Sequence, residues 1–129
     1  MASVLIFDDD ESIRATVRMV LEDEGYSVLE AATGPEALQI LEASGTPLIV
    51  LVDLLMPNMN GVEVLREIVA RPPLAERHAY IVFTADERTL LAAAQPYILT
   101  LVAPTLNKPF DMDALLDVVA QAATRVQSA

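Results

Sequence analysis

Asp8, Asp9, Asp10 and Glu11 are four consecutive carboxylates set directly after the apolar run Ser3 to Phe7, and Asp53 closes a second apolar run that begins at Leu48. Like charges about 4 Å apart repel by roughly 4 kcal/mol at an effective dielectric of 20. Carboxylates gathered at the ends of neighbouring strands therefore need a cation or a proton. A ligand set of oxygens without His or Cys selects a hard ion, Mg²⁺ or Ca²⁺. Mg²⁺ suits Asp8, Asp9 and Asp53 better, because it retains part of its water shell and recruits phosphate oxygens.

Gathering these residues depends on the elements that carry them. Ser3 to Phe7, Ser27 to Ala31, Leu48 to Asp53 and Tyr80 to Thr84 are rich in Val and Ile and of strand length. Three of them are almost wholly apolar, as strands covered on both faces must be. Ile13, Val17, Val20 and Leu21 form a stripe at helical spacing, as do Ala37, Leu38 and Leu41, then Val62, Leu65, Ile68 and Val69, and finally Leu115, Val119, Ala122 and Val126. Thr33 is placed to cap the second helix, with Pro35 in its first turn and Glu36 three residues on, and Asp111 to cap the last. Asp10 and Glu11 open the first helix, where acidic side chains favour its dipole, and are read as capping or solvated. This alternation predicts a parallel sheet with helices on both faces and right-handed crossovers. Ligands of such sheets bind beyond the carboxyl ends of the strands, where strand order reverses, and Asp8, Asp9 and Asp53 lie at two such ends.

Composition narrows the function further. The chain has 129 residues, 53% of them hydrophobic, which is enough to bury the core of one domain. Its net charge of −11 repels phosphate backbones and anionic membrane surfaces, so neither direct nucleic-acid binding nor membrane association is expected. The chain contains no Cys, which removes disulfides, thiolate metal sites and Cys nucleophiles. The N-terminal apolar run is too short for a signal peptide or a membrane span, and the expectation is a cytoplasmic protein.

The segments VLIFDDDES, EAATGPEAL, LVDLLMPNMNGVEVL, IVFTA and NKPF, in that order, resemble the receiver domain of two-component response regulators, and together they span nearly the whole chain. The resemblance implies one receiver domain over residues 1–129, an α/β flavodoxin-like fold with a doubly wound five-stranded parallel sheet in the order 2-1-3-4-5. It places the phosphoacceptor at Asp53, a direct Mg²⁺ ligand at Asp9, a water-mediated one at Asp8 and a backbone carbonyl ligand at Leu55. Thr84 and Lys108 fall on the family's phosphate-binding hydroxyl and lysine, and Pro109 on a bond that is usually cis. The implied donor is a histidine kinase or histidine phosphotransfer protein, the implied recipient a downstream effector protein, and a homodimer is a further expectation. The residue types suit that role. Phosphoryl transfer asks a protein chiefly for positioning and charge neutralisation, and the Lys108 ammonium and Thr84 hydroxyl can each meet a phosphoryl oxygen. Ala85 is small enough to leave an approach for donor or water. Leu55 and Asp86 flank that approach and are expected to tune the lifetime of the phosphorylated state.

Parts of the chain depart from the family. Thr105 stands where an aromatic side chain is usual. Pro96 should end or kink any helix begun near Asp86, and Tyr97 to Val102 reads as a strand, so the fifth strand is expected there or closer to Lys108, with Pro104 tolerated at a sheet edge. Residues 88–106 are then a modified docking or dimer surface. His78 reads as a solvated loop residue, Arg14, Arg18 and Met19 as helix surface. Two other functions compete: a phosphorylation-independent interaction module, and a Mg-dependent phosphohydrolase. The hydrolase chemistry wants an acid two residues after Asp53, where this chain has Leu55. The receiver is not an enzyme in its own right, and it either stands alone or is cut from a longer regulator.

Overall fold

The computed structural model describes residues 2–54, 61–84, 88–108 and 110–128. Among these, β1 (Ser3–Phe7), β2 (Ser27–Ala31), β3 (Leu48–Asp53), β4 (Ala79–Thr84) and β5 (Thr105–Asn107) form one sheet. The helices are α1 (Glu11–Asp23), α2 (Gly34–Ala43), α3 (Gly61–Val69), α4 (Pro72–Arg77), α5 (Arg88–Leu101) and α6 (Met112–Ser128). Every strand pairing is parallel and the order is β2-β1-β3-β4-β5, as the resemblance implied.

Side chains alternate across the sheet and so divide the core in two. Val4 and Ile6, Ile49 and Leu51, and Ile81 and Phe83 face Val17 and Leu21 of α1 and Leu115 and Val119 of α6. Leu5 and Phe7, Val50 and Val52, and Tyr80 and Val82 face the opposite layer, where Leu41 of α2, Leu65 and Ile68 of α3 and Ile98 of α5 cover them. The central strand β3 is buried along its whole length, which is why its sequence shows no polar alternation. Capping fixes where the helices start. Asp10 accepts from the backbone N–H groups of Ser12 and Ile13, at 2.9 and 3.3 Å. Thr33 accepts from Glu36 at 3.3 Å, and Asp111 from Asp113 at 2.7 Å.

The structure corrects the reading of residues 97–102 as a strand: Tyr97 to Leu101 are helical and Val102 lies in the turn that follows. Leu91, Ala94, Ile98 and Leu101 recur at spacings of three and four and pack under the sheet. Five apolar residues broken only by Thr100 satisfy a strand and a helix equally, and only the burial period separates the two. Pro96 lies inside α5. Its missing N–H costs about 3 kcal/mol, which the buried side of the helix offsets. α5 instead ends at Leu101, and the next residue, Val102, has a φ of +52°, left-handed and strained for a β-branched residue. The N–H groups of Val102 and Ala103 close that turn onto the carbonyls of Leu99 and Ile98, at 3.2 and 3.0 Å. β5 follows at residues 105–107, with the Pro104 carbonyl accepting from Val82 N–H at 2.9 Å.

His78 is also corrected: it is buried, 5% exposed, and structural. Its Nδ1 accepts from Leu48 N–H at 2.9 Å, so the ring proton resides on Nε2, which donates to the Leu41 carbonyl at 3.2 Å. The neutral imidazole thus ties the end of α2 to the start of β3. Burial, reinforced by the charge of Arg77, outweighs the Leu41 contact and depresses its pKa. An unfolded chain protonates His78 near pH 6.5 while the folded one resists, so stability is lost as pH falls below about 6.5 toward the lowered folded value. His78→Gln, whose amide can both donate and accept, lacks that titration. The difference in unfolding free energy between the original protein and His78→Gln is expected to shrink between about pH 7 and pH 5, measured by urea denaturation. A constant difference would deny His78 this role.

Candidate functional site

The register of the sheet assembles the site. Phe7 pairs with Val52, so Asp8, one residue on, lies beside Asp53. Asp53 pairs with Phe83, so Thr84 is the next residue along β4. Thr84 pairs with Asn107, and Lys108 follows immediately, its N–H donating to the Thr84 carbonyl at 2.7 Å. The four residues come together because each stands at the end of its strand or one step beyond it.

Asp8, Asp9 and Asp53 each bring a carboxylate oxygen within 4.8 Å of the others. Asp8 and Asp53 are buried, at 0% and 4% exposure, while Asp9 opens to solvent. Lys108 reaches between the buried pair, with Nζ at 2.7 Å from Asp8 Oδ2 and 3.1 Å from Asp53 Oδ2. The ammonium also stands 5.8 Å from the centre of the Phe83 ring. Burial by itself would lower the Lys108 pKa, but the hydrogen bond to Asp8 and the charges of Asp53 and Asp8 together outweigh it, and the group is held above its ordinary value. Three carboxylates against one ammonium leave two negative charges in excess. Oxygen donors carrying that excess match a hard divalent cation in charge and in chemistry. Asp8 Oδ1 is already used, accepting from Asp10 N–H at 2.9 Å, so its Oδ2 is the oxygen that faces the site.

The structure brings together Asp8, Asp9, Asp53, Thr84 and Lys108, all named from the sequence. Leu55, Ala85, Asp86 and Pro109 lie outside the described residues. Sequence reasoning missed four contributors. Arg14, read as helix surface, donates to the Asp8 carbonyl at 2.7 Å and to Glu30 at 3.1 Å. Arg18 donates to the other oxygen of Glu30 at 2.6 Å, and that bond is the main reason the Glu30 carboxyl stays below its usual pKa despite partial burial. Asn107, just before the lysine, accepts from the Thr84 hydroxyl at 2.5 Å.

Gly61 is the fourth. A Cβ there would lie 2.2 Å from the Asp53 carbonyl oxygen and 2.8 Å from Leu54 Cα, both backbone atoms that cannot swing aside. Its position after MPNMN was the available signal, since a close approach of backbone to backbone admits only Gly. Gly61→Ala is expected to push the end of β3 and Asp53 out of register with Lys108. The unfolding free energy should drop by about 2 kcal/mol or more, and Mg²⁺ affinity measured by calorimetry should fall with it. An unchanged affinity would show that Gly61 does not place Asp53.

Beside Lys108 a cleft of about 450 Å³ is walled by Ile13, Val17, Phe110 and Met112, with Ser12 and Thr16 at its polar side. No helix among the described residues is long and apolar enough to cross a membrane.

The family model for the response regulator receiver domain matches residues 4–120. The chain is 34% identical over 122 residues to the CAI-1 autoinducer sensor kinase/phosphatase CqsS of Vibrio cholerae, covering 91% of this chain and 17% of that protein. It is 34% identical over 118 residues to sporulation initiation phosphotransferase F of Bacillus subtilis, covering 90% of this chain and 89% of that one. It spans between 7% and 31% of the length of other curated relatives. The crystal structure of the Vibrio cholerae chemotaxis protein CheY4 superposes with a TM-score of 0.76 at 28% identity, over 95% of this chain and 98% of that one.

Proposed function

Because this chain belongs to the response regulator receiver domain family, we propose that it is the phosphoacceptor of a two-component phosphorelay, with Asp53 as the residue that is phosphorylated. The observation that carries this reading is the Lys108 ammonium between Asp8 and Asp53, beside the exposed carboxylate of Asp9. A catalytic carboxylate pair would need one member held protonated; here a fixed cation faces the acceptor instead.

Asp8, Asp9 and Asp53 would hold Mg²⁺, which supplies charge neutralisation on the phosphoryl oxygens when bound. An Asp53 oxygen attacks phosphorus, the bond from phosphorus to the donor nitrogen breaks, and the imidazole of a phosphohistidine leaves. Lys108 already lies 3.1 Å from Asp53, so it can follow the charge onto a phosphoryl oxygen without crossing the site. Thr84 offers its hydroxyl to a second oxygen. The product is a mixed anhydride, labile by nature, which suits a signal. The chain is consumed and regenerated as one partner of the relay and is not itself an enzyme. The apolar cleft next to Lys108 gives a protein donor, a histidine kinase or phosphotransfer protein, a surface on which to seat its histidine.

The test is incubation with Mg²⁺ and a small phosphodonor such as acetyl phosphate. One phosphoryl group per chain, sensitive to hydroxylamine and lost on chelation of the metal, is the expected result. Catalytic turnover of phosphoesters would favour a hydrolase, and no incorporation would favour an inert interaction module.

A further inference from the structure

Thr84 is 2% exposed, and its hydroxyl donates to Asn107 Oδ1 at 2.5 Å across the last rung of the β4–β5 ladder. A hydroxyl owns a single proton. While that proton is given to Asn107, Thr84 has none for a phosphoryl oxygen. Asn107 itself is exposed, on a three-residue strand at the edge of the sheet. One side chain therefore joins a buried group of the site to the solvent-facing edge.

We propose that Asn107 is a positioning residue that holds the Thr84 hydroxyl out of the site at rest, so that phosphorylation must break this bond and set the Asn107 amide free at the end of β5. The inference rests on the reading that Asp53 accepts a phosphoryl group. A phosphoryl oxygen carries charge and accepts a stronger hydrogen bond than a neutral carboxamide, so the competition is won once the group is in place. Before that, the bond opposes switching. Its loss is felt at two places: Thr84 turns toward Asp53, and the Asn107 amide oxygen on the edge strand becomes available to water or a partner. No large ring has to rotate for the signal to leave the site.

The experiment titrates beryllofluoride, a mimic of the phosphoryl group on a carboxylate, in saturating Mg²⁺, followed by NMR on the full chain. The original protein is compared with Asn107→Ala, with the near-isosteric Asn107→Leu, with Thr84→Val, and with Asn107→Ala combined with Thr84→Val. Removing the acceptor is expected to tighten mimic binding by about 3- to 10-fold in the Thr84 background, and to leave affinity unchanged once Thr84 is Val. The Thr84 methyl resonance in Asn107→Ala without mimic should shift toward its position in the mimic-bound original protein. Equal affinity in Asn107→Ala, Asn107→Leu and the original protein, or the same tightening in the Thr84→Val background, would overturn the proposal. An original protein that takes neither the mimic nor a phosphoryl group would instead overturn the phosphoacceptor reading, and this inference with it.

Discussion

Asp53→Asn is expected to reduce phosphoryl incorporation by more than about a thousandfold while leaving the protein folded. The substitution keeps shape and removes the nucleophile. An amide oxygen cannot form a stable acyl phosphate, and nearby Asp8, whose Oδ1 accepts from Asp10 N–H, is not expected to replace Asp53. Stability in the absence of metal should move by no more than about 1 kcal/mol. One hydrogen bond to Lys108 is weakened, and one of three mutually repelling charges is gone. Radiolabelled acetyl phosphate and denaturant unfolding, run on the same preparation, read both quantities. Label retained by Asp53→Asn would place the acceptor elsewhere.

Lys108→Met should have the largest effect on stability. Asp8 is fully buried and Asp53 nearly so, and the substitution leaves both facing each other without a cation. Breaking a buried ion pair from one side costs about 3 kcal/mol or more, roughly 10 °C in midpoint for a domain of this size. The loss should depend on Mg²⁺. An ion at a hundred times its dissociation constant adds about 2.7 kcal/mol, and in Lys108→Met it enters without displacing an ammonium. The rise in melting temperature on adding Mg²⁺ should therefore be larger in the variant than in the original protein. Equal rises would mean that lysine and metal do not compete for the same oxygens. At alkaline pH the sign is also fixed. Because the folded pKa of Lys108 is raised, its contribution is complete below about pH 10.5 and is lost as pH climbs through the folded value. The alkaline decline in stability should be shallower in Lys108→Met.

The central strands and the acidic cluster were legible because they obey rules that act within a few residues. A wholly apolar run of strand length with Ile49, Val50 and Val52 β-branched, such as Leu48 to Val52, points to a strand covered on both sides, and an Asp at its end to the crevice beyond it. Thr33 and Asp111 announced their helices by cap chemistry alone. What escaped were residues whose meaning is set by distant partners. His78 looks polar in its own sequence neighbourhood, yet its ring bonds to Leu48 and Leu41, which lie 30 and 37 residues away. Arg14 has the spacing of a solvated helix residue until β2 places Glu30 beside it. Residues 97–102 misled because the local apolar run carried no period, and the deciding fact, burial against β4, belongs to the tertiary structure.

Four parallel strands each contribute at least one group at or just past the terminus. A bound cation would therefore tie β1 to β3, and a phosphoryl group on Asp53 would add β4 and the segment after β5. Amide protons of these strands should exchange with deuterium more slowly in the occupied protein, β1 included. β2, the edge strand that lends the site no ligand, would gain protection only through global unfolding.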